Sequence, residues 1–188
     1  MVALPQVEPE VVGDVVLPRR VGGRWRASDL DAWEYDTAQV EVVEGEVVVN
    51  AAPNRRHQVV VGDLYARLRD AMPPGLEVLV APYEVRTPAG DGLQPDVLVV
   101  AEGGDPRRRY ETDPPLLVVE VLSDTGRTRD LVTKRRLYAE LGVPTYWVVD
   151  PDEPWLLEVD LSTDVETRHD GPGPHRLQQP FEVEVRLG

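Results

Sequence analysis

The feature that most restricts this chain is the run Leu116-Leu117-Val118-Val119-Glu120-Val121-Leu122, six apolar residues enclosing one carboxylate. Its length and β-branched content read as a strand. Alternation places Leu116, Val118, Glu120 and Leu122 on one face, and the opposite face is apolar too, the pattern of a strand covered on both sides. A carboxylate buried there must be paired, protonated or given a metal, because an uncompensated charge is too expensive to bury. A structural ion pair and a metal ligand both meet that demand.

Two further charges stand close by in the pattern. Thr128–Leu141 has a helical period and is ended by Gly142 and Pro144. Leu131, Leu137, Tyr138 and Leu141 lie at offsets of −3, +3, +4 and +7 from Lys134, so this lysine interrupts the apolar stripe. It is the only lysine among 20 Lys and Arg residues. It is either a stem snorkelling along the core edge or an ammonium directed at a site. Asp96 opens the run PDVLVVA behind Pro95, which suits the start of a strand. That carboxylate is either a turn acid or a ligand at the mouth of a buried run. Two carboxylates at the ends of adjacent strands can bind Mg²⁺, which prefers oxygen ligands and keeps several waters. A nearby lysine can orient a metal-bound water, or deprotonate it as the neutral amine, and as an ammonium stabilise negative charge developing on the phosphoryl group. Together these groups are the minimum equipment for hydrolysing a phosphodiester without a covalent intermediate.

The rest of the chain frames this set. A length of 188 residues fits one domain. Residues 1–22 read as an N-terminal arm or a partly ordered lead-in, and 23–188 as a single domain. Ser28–Tyr35 reads as a short helix with Ser28 as N-cap, and Val40–Asn50 as a hairpin turning at Glu44-Gly45. Asn54–Met72 reads as an amphipathic helix with Val60, Leu64 and Leu68 on its apolar face. Strands are expected at Leu76–Ala81, Tyr83–Arg86, Asp96–Ala101, Leu116–Leu122 and Thr145–Asp150. A β-rich tail follows at Trp155–Leu161, Val165–His169 and Phe181–Leu187, broken by a loop at DGPGPH. The order implies an α/β (α+β) architecture, one mixed sheet with helices packed on it.

Composition excludes several classes. There is no cysteine, hence no disulfide, thiolate metal site or cysteine nucleophile. No apolar run approaches the ~20 residues needed to span a bilayer, and the first residues lack the pattern of a signal peptide. A cytoplasmic protein is therefore expected. Net charge is −14, which opposes broad attraction to nucleic acid, so phosphate binding would need local basic patches and metal ions.

The segment PPLLVVEVLSDTGRTRDLVTKRRLYAELGVPTYWVVDP, preceded by QPDVLVVAE, resembles the bacterial restriction endonuclease domain of the Uma-two family, in the PD-(D/E)XK nuclease superfamily. The resemblance extends upstream through VEVVEGEVVVNAAPNRRHQVVVGDLYARL and covers roughly residues 28–160. It implies a restriction-endonuclease-like core, with a divalent metal, Mg²⁺ or Mn²⁺ in its place, held by Asp96 and Glu120. The superfamily lysine stands two residues after the second acid, where this chain has Leu122; the lysine of the following helix, Lys134, takes its part. Glu44 resembles an upstream acid that supports the metal, with Glu46 as competitor. His57, opening the long helix beside Arg55 and Arg56, resembles the family histidine and can contact phosphate, assist proton transfer, or simply cap the helix. Arg55, Arg127, Arg129 and Arg135 are candidates for the DNA backbone, and a homodimer is implied by analogy with nucleases that cut two strands.

Three readings of function follow. The first is a Mg²⁺-dependent DNA endonuclease with Asp96 and Glu120 as ligands, Lys134 acting on water, and Glu44 and His57 assisting. The second is a catalytically inactive binding or regulatory module of the same fold, which the acidic total and the displaced lysine favour. The third is an assembly protein whose buried charges merely pair.

Overall fold

Valine-rich runs interrupted by turn residues dominate the computed structural model, which describes residues 7–12, 15–20, 23–31, 40–123 and 126–188. Strands β1 (Val7–Val12) and β2 (Val15–Arg20) pair with each other in a two-stranded sheet of their own. The expected lead-in thus contains a hairpin, which its irregular composition hid. Of the helix expected at Ser28–Tyr35, the described part is a single 3₁₀ turn, Ala27–Leu30, begun by Arg26 instead of Ser28; the remainder lies outside the described residues.

Strands β3 (Val40–Val43) and β4 (Glu46–Val49) form the expected hairpin. Glu44 and Gly45 both take positive φ, 51° and 79°, the geometry of a two-residue turn that matches the twist of the paired strands. Helix α1 (Arg55–Ala71) starts at Asn54, whose side chain accepts from the His57 backbone N–H at 2.9 Å.

Next come β5 (Leu76–Val80), β6 (Glu84–Arg86), β7 (Gly92–Leu93), β8 (Val97–Ala101), β9 (Tyr110–Glu111) and β10 (Leu117–Val121). The expected second helix is divided: Arg129–Lys134 is a π-helical stretch that continues into α2 (Arg135–Leu141). Then follow β11 (Thr145–Asp150), β12 (Trp155–Asp160), β13 (Val165–Asp170), β14 (Gly173–Leu177) and β15 (Val183–Leu187). Strand β14 begins inside DGPGPH, so this loop is shorter than expected.

Instead of one sheet there are a central six-stranded sheet, ordered β13-β12-β11-β10-β8-β5, and a second of five strands, ordered β4-β3-β7-β6-β9. The central sheet is mixed: β10 runs parallel to β11 through the helical crossover and antiparallel to β8. One face packs Val97, Val99, Leu117, Val119 and Val121 against Leu64 and Leu68 of α1 and against the β14–β15 hairpin. The other packs Leu98, Val118, Leu122 and Val148 against Leu137 and Tyr138 of α2, with Val43, Val85 and Leu93 of the second sheet. Every residue of β10 is buried, as its two apolar faces require. Among the described residues no helix is long and apolar enough to cross a membrane.

Candidate active site

Because β8 and β10 are antiparallel, the start of one lies beside the end of the other, and Val97 pairs with Val119. This register sets Asp96 next to Glu120 and Val121. Asp96 Oδ2 accepts the Val121 backbone N–H at 2.7 Å, which fixes the carboxylate against the sheet end. Glu120 faces α2, on the side the alternation assigns to it, and is only 3% exposed. Lys134 and Tyr138, one helical turn apart, both reach it: Nζ donates to Oε1 at 3.0 Å and the tyrosine hydroxyl to the same oxygen at 3.1 Å. The two donors are thereby kept off Oε2.

A pocket of about 360 Å³ opens over this point, lined among others by Asn50, Asn54, His57, Asp96, Glu120, Arg129, Asp130 and Lys134. The π-helical stretch carries Asp130 and Lys134 to the same side, with Asp130 Oδ1 3.7 Å from Nζ. The Tyr146 hydroxyl donates to the Asp130 carbonyl at 2.8 Å and braces the widened turn.

The sequence reading missed Glu41. This residue is fully buried in β3 and lies 2.9 Å from Lys134 Nζ. The glutamate singled out instead, Glu44, sits at the hairpin tip, about half exposed, and pairs with Arg136 at 2.8 Å; it does not line the pocket. A signal was present. An Glu-Gly turn puts its first residue at an exposed tip, whereas Glu41, an acid among valines, repeats the anomaly of Glu120.

His57 also departs from expectation. Its ring is buried, and Nε2 lies 3.0 Å from the Val121 carbonyl and 3.3 Å from Asp96 Oδ2. A carbonyl only accepts, so Nε2 carries the proton, and the ring ties Asp96 to the strand end instead of reaching outward for phosphate. Its Nδ1 is buried and has no hydrogen-bond partner among the described residues. Of the four candidate arginines, only Arg129 lines the pocket, donating to Asn50 Oδ1 at 3.4 Å. Arg127 pairs with Asp150 at 2.6 Å, Arg135 is taken up by Asp164 and Glu166, and Arg55 is exposed.

Three carboxylates, Glu41, Glu120 and Asp130, thus surround the single ammonium of Lys134, with Asp96 beside Glu120 at the strand end. Burial pushes the Glu120 pKa well up, and Asp130, Asp96 and Glu41 add to the effect against the pull of Lys134. Asp130 is raised to about 6, again chiefly by burial. Burial would discharge Lys134, but Glu120, Glu41 and Asp130 outweigh it and raise its pKa. The lysine therefore stays an ammonium at neutral pH and cannot serve as a base. For His57, burial opposes protonation, yet the hydrogen bond and charge of Asp96 prevail and raise the pKa.

The cluster of acids fits a hard divalent cation, and Asp96 and Glu120, both lining the pocket, are carboxylates that could hold one. Among the described residues no three His, Asp or Glu side chains form a ready-made cage. The fit is to an ion that accepts two carboxylates and completes its shell with water, as Mg²⁺ does.

A central mixed sheet between helices, with an Asp and a Glu on adjacent strand ends and a lysine from the crossover helix, defines the restriction-endonuclease-like class. The pattern of the family Uma2, described as "Putative restriction endonuclease", matches residues 27–185, and the chain belongs to this family. A crystal structure described as a "putative nuclease" from Anabaena variabilis has the same fold, with a TM-score of 0.65 and 17% identity. The match covers 76% of this chain and 82% of that one. A comparison with curated proteins found no match.

Proposed function

We propose that this protein is a divalent-metal-dependent endonuclease that hydrolyses phosphodiester bonds in DNA, with Mg²⁺ as its ion and Mn²⁺ as a substitute. The observation that carries the reading is the excess of carboxylates over cations at the floor of a pocket, with Asp96 and Glu120 at adjacent strand ends. Asp96, held by the Val121 N–H and braced by His57, and Glu120, with its protein donors confined to Oε1, would hold the ion. When bound, such an ion supplies Lewis acidity and lowers the pKa of its water. Lys134 contributes a fixed positive charge toward the phosphate, and Arg129 at the pocket wall provides the nearest guanidinium for a neighbouring phosphate oxygen. A soluble cytoplasmic homodimer cutting two strands belongs to the same proposal.

A second reading, an inactive module of the same fold, is favoured by one observation. Glu120 and Lys134 are 3% and 4% exposed and satisfy one another, as a structural ion pair would. Calorimetric titration of Mg²⁺ and Mn²⁺ into wild type and Asp96→Ala, with plasmid nicking on the same samples, separates the two. Binding and nicking that both vanish in the variant support the nuclease. Binding without nicking of any plasmid or oligonucleotide points to the inactive module, and absence of binding removes the metal site altogether.

A further inference from the structure

Glu41 belongs to a different sheet from Glu120, yet both hold the same ammonium. Both of its oxygens are engaged. Oε1 accepts the Gln94 backbone N–H at 2.7 Å and Lys134 Nζ at 2.9 Å, while Oε2 accepts Asn50 Nδ2 at 2.7 Å. Asn50 in turn receives Arg129 from the pocket wall. A carboxylate with three donors on two oxygens is well made to stay ionised in a dry setting and poorly made to bind a metal. Burial alone would raise the Glu41 pKa, but the charge of Lys134 and the bonds from Gln94, Lys134 and Asn50 bring it below the usual value.

The consequence concerns where the ammonium sits. With one carboxylate on each side, at 2.9 and 3.0 Å, Nζ is divided between the two sheets. Without the Glu41 charge, Nζ has only Glu120 and the more distant Asp130 to turn to. It would then be held from one side only and would lose its fixed place between the two sheets. We infer that Glu41 is a positioning residue for Lys134, fixing its ammonium between the two sheets, and that it is not itself a metal ligand. The catalytic part of this inference rests on the nuclease reading; the clamp itself does not.

The test uses the full chain with Glu41→Gln, which keeps shape and removes charge, and Glu41→Asp, which keeps charge and withdraws it by one methylene. Far-UV circular dichroism establishes which variants are folded, and either folded variant suffices. Lys134 is the only lysine, so acylation by an amine-reactive reagent, followed by mass spectrometry of its peptide, reports on this one side chain. In wild type the reaction is slow, and in either folded variant it accelerates by at least about tenfold as Nζ leaves its clamp. In the nicking assay kcat falls about 10- to 100-fold with KM little changed, the pattern of a lost transition-state interaction. Calorimetric Mn²⁺ affinity stays within about threefold of wild type, less than the 10- to 100-fold loss typical of a disturbed metal site. Unchanged acylation overturns the clamp, and a Mn²⁺ affinity lowered more than about tenfold overturns the assignment by making Glu41 a ligand. A wild type that nicks nothing sinks the nuclease reading, while the acylation rates still decide the role of Glu41.

Discussion

Replacing Lys134 with methionine tests the charge balance on which the site depends. Methionine fills a similar volume, so the packing at this buried position is largely kept and the change removes the positive charge. At an effective dielectric of about 20, each contact near 3 Å is worth about 5–6 kcal/mol of Coulomb energy, and there are two, at 2.9 and 3.0 Å. Much of this is offset by the several kcal/mol needed to desolvate the ammonium. What remains when one partner is deleted is the penalty of stranded acids, about 3–5 kcal/mol. For a chain of this size that lowers Tm by about 6–20 °C.

The loss has a predictable pH dependence. Glu120 is already raised above its ordinary 4.5 by burial and by its acidic neighbours, and without the ammonium it rises further. An acid whose folded pKa exceeds its unfolded one binds the proton more tightly in the native state. Its burial therefore destabilises increasingly as pH rises from about 4.5 toward the folded pKa. Differential scanning calorimetry of wild type and Lys134→Met at pH 5.5 and 8 should show the larger gap at pH 8. A variant melting within about 2 °C of wild type at pH 8 would mean that the buried acids are compensated some other way, and the account of the site would fail.

Three more expectations rest on the same geometry. Saturating Mg²⁺, at about 100 times its Kd, should stabilise wild type by about 2.7 kcal/mol, a rise in Tm of about 5–11 °C that chelation reverses and Asp96→Ala abolishes. Asp130→Asn removes an acid raised from 3.8 to about 6. Wild type should lose stability relative to this variant as pH rises from about 4 to 6, by at most ~3 kcal/mol, and thermal melts at pH 5 and 8 measure it. His57→Gln frees Asp96 from its brace and should weaken Mn²⁺ binding about 10- to 100-fold by calorimetry, with wild-type affinity refuting the bracing role.

Local pattern carried a good part of this architecture. The period-2 run around Glu120 identified a strand covered on both faces and the side on which its carboxylate stands. The 3.6-residue stripe around Lys134 assigned that lysine to the same helical face as Leu137 and Tyr138. Pro95 marked the start of the Asp96 strand, and Glu44-Gly45 marked the turn of a hairpin. Each of these follows from steric and burial rules acting over a few neighbouring residues, so one sequence suffices to read them.

Other features depended on segments far apart in the chain. Whether Glu41, Glu44 or Glu46 joins the site depends on how the β3–β4 hairpin is turned toward α2, and no window of a few residues contains that information. His57 read as an outward group because the Val121 carbonyl and Asp96 that claim its ring lie 64 and 39 positions away along the chain. The basic residues looked alike in sequence, but pairing with Asp150, Asp164 and Glu166 takes Arg127 and Arg135 out of reach and leaves Arg129 at the pocket. The sequence by itself determined that Glu120 and Lys134 stand among core residues, because their burial follows from the apolar residues beside them. Only the tertiary structure decided which charges meet, because electrostatic partnership depends on distances of 3–4 Å between elements that the chain connects through long loops and crossovers.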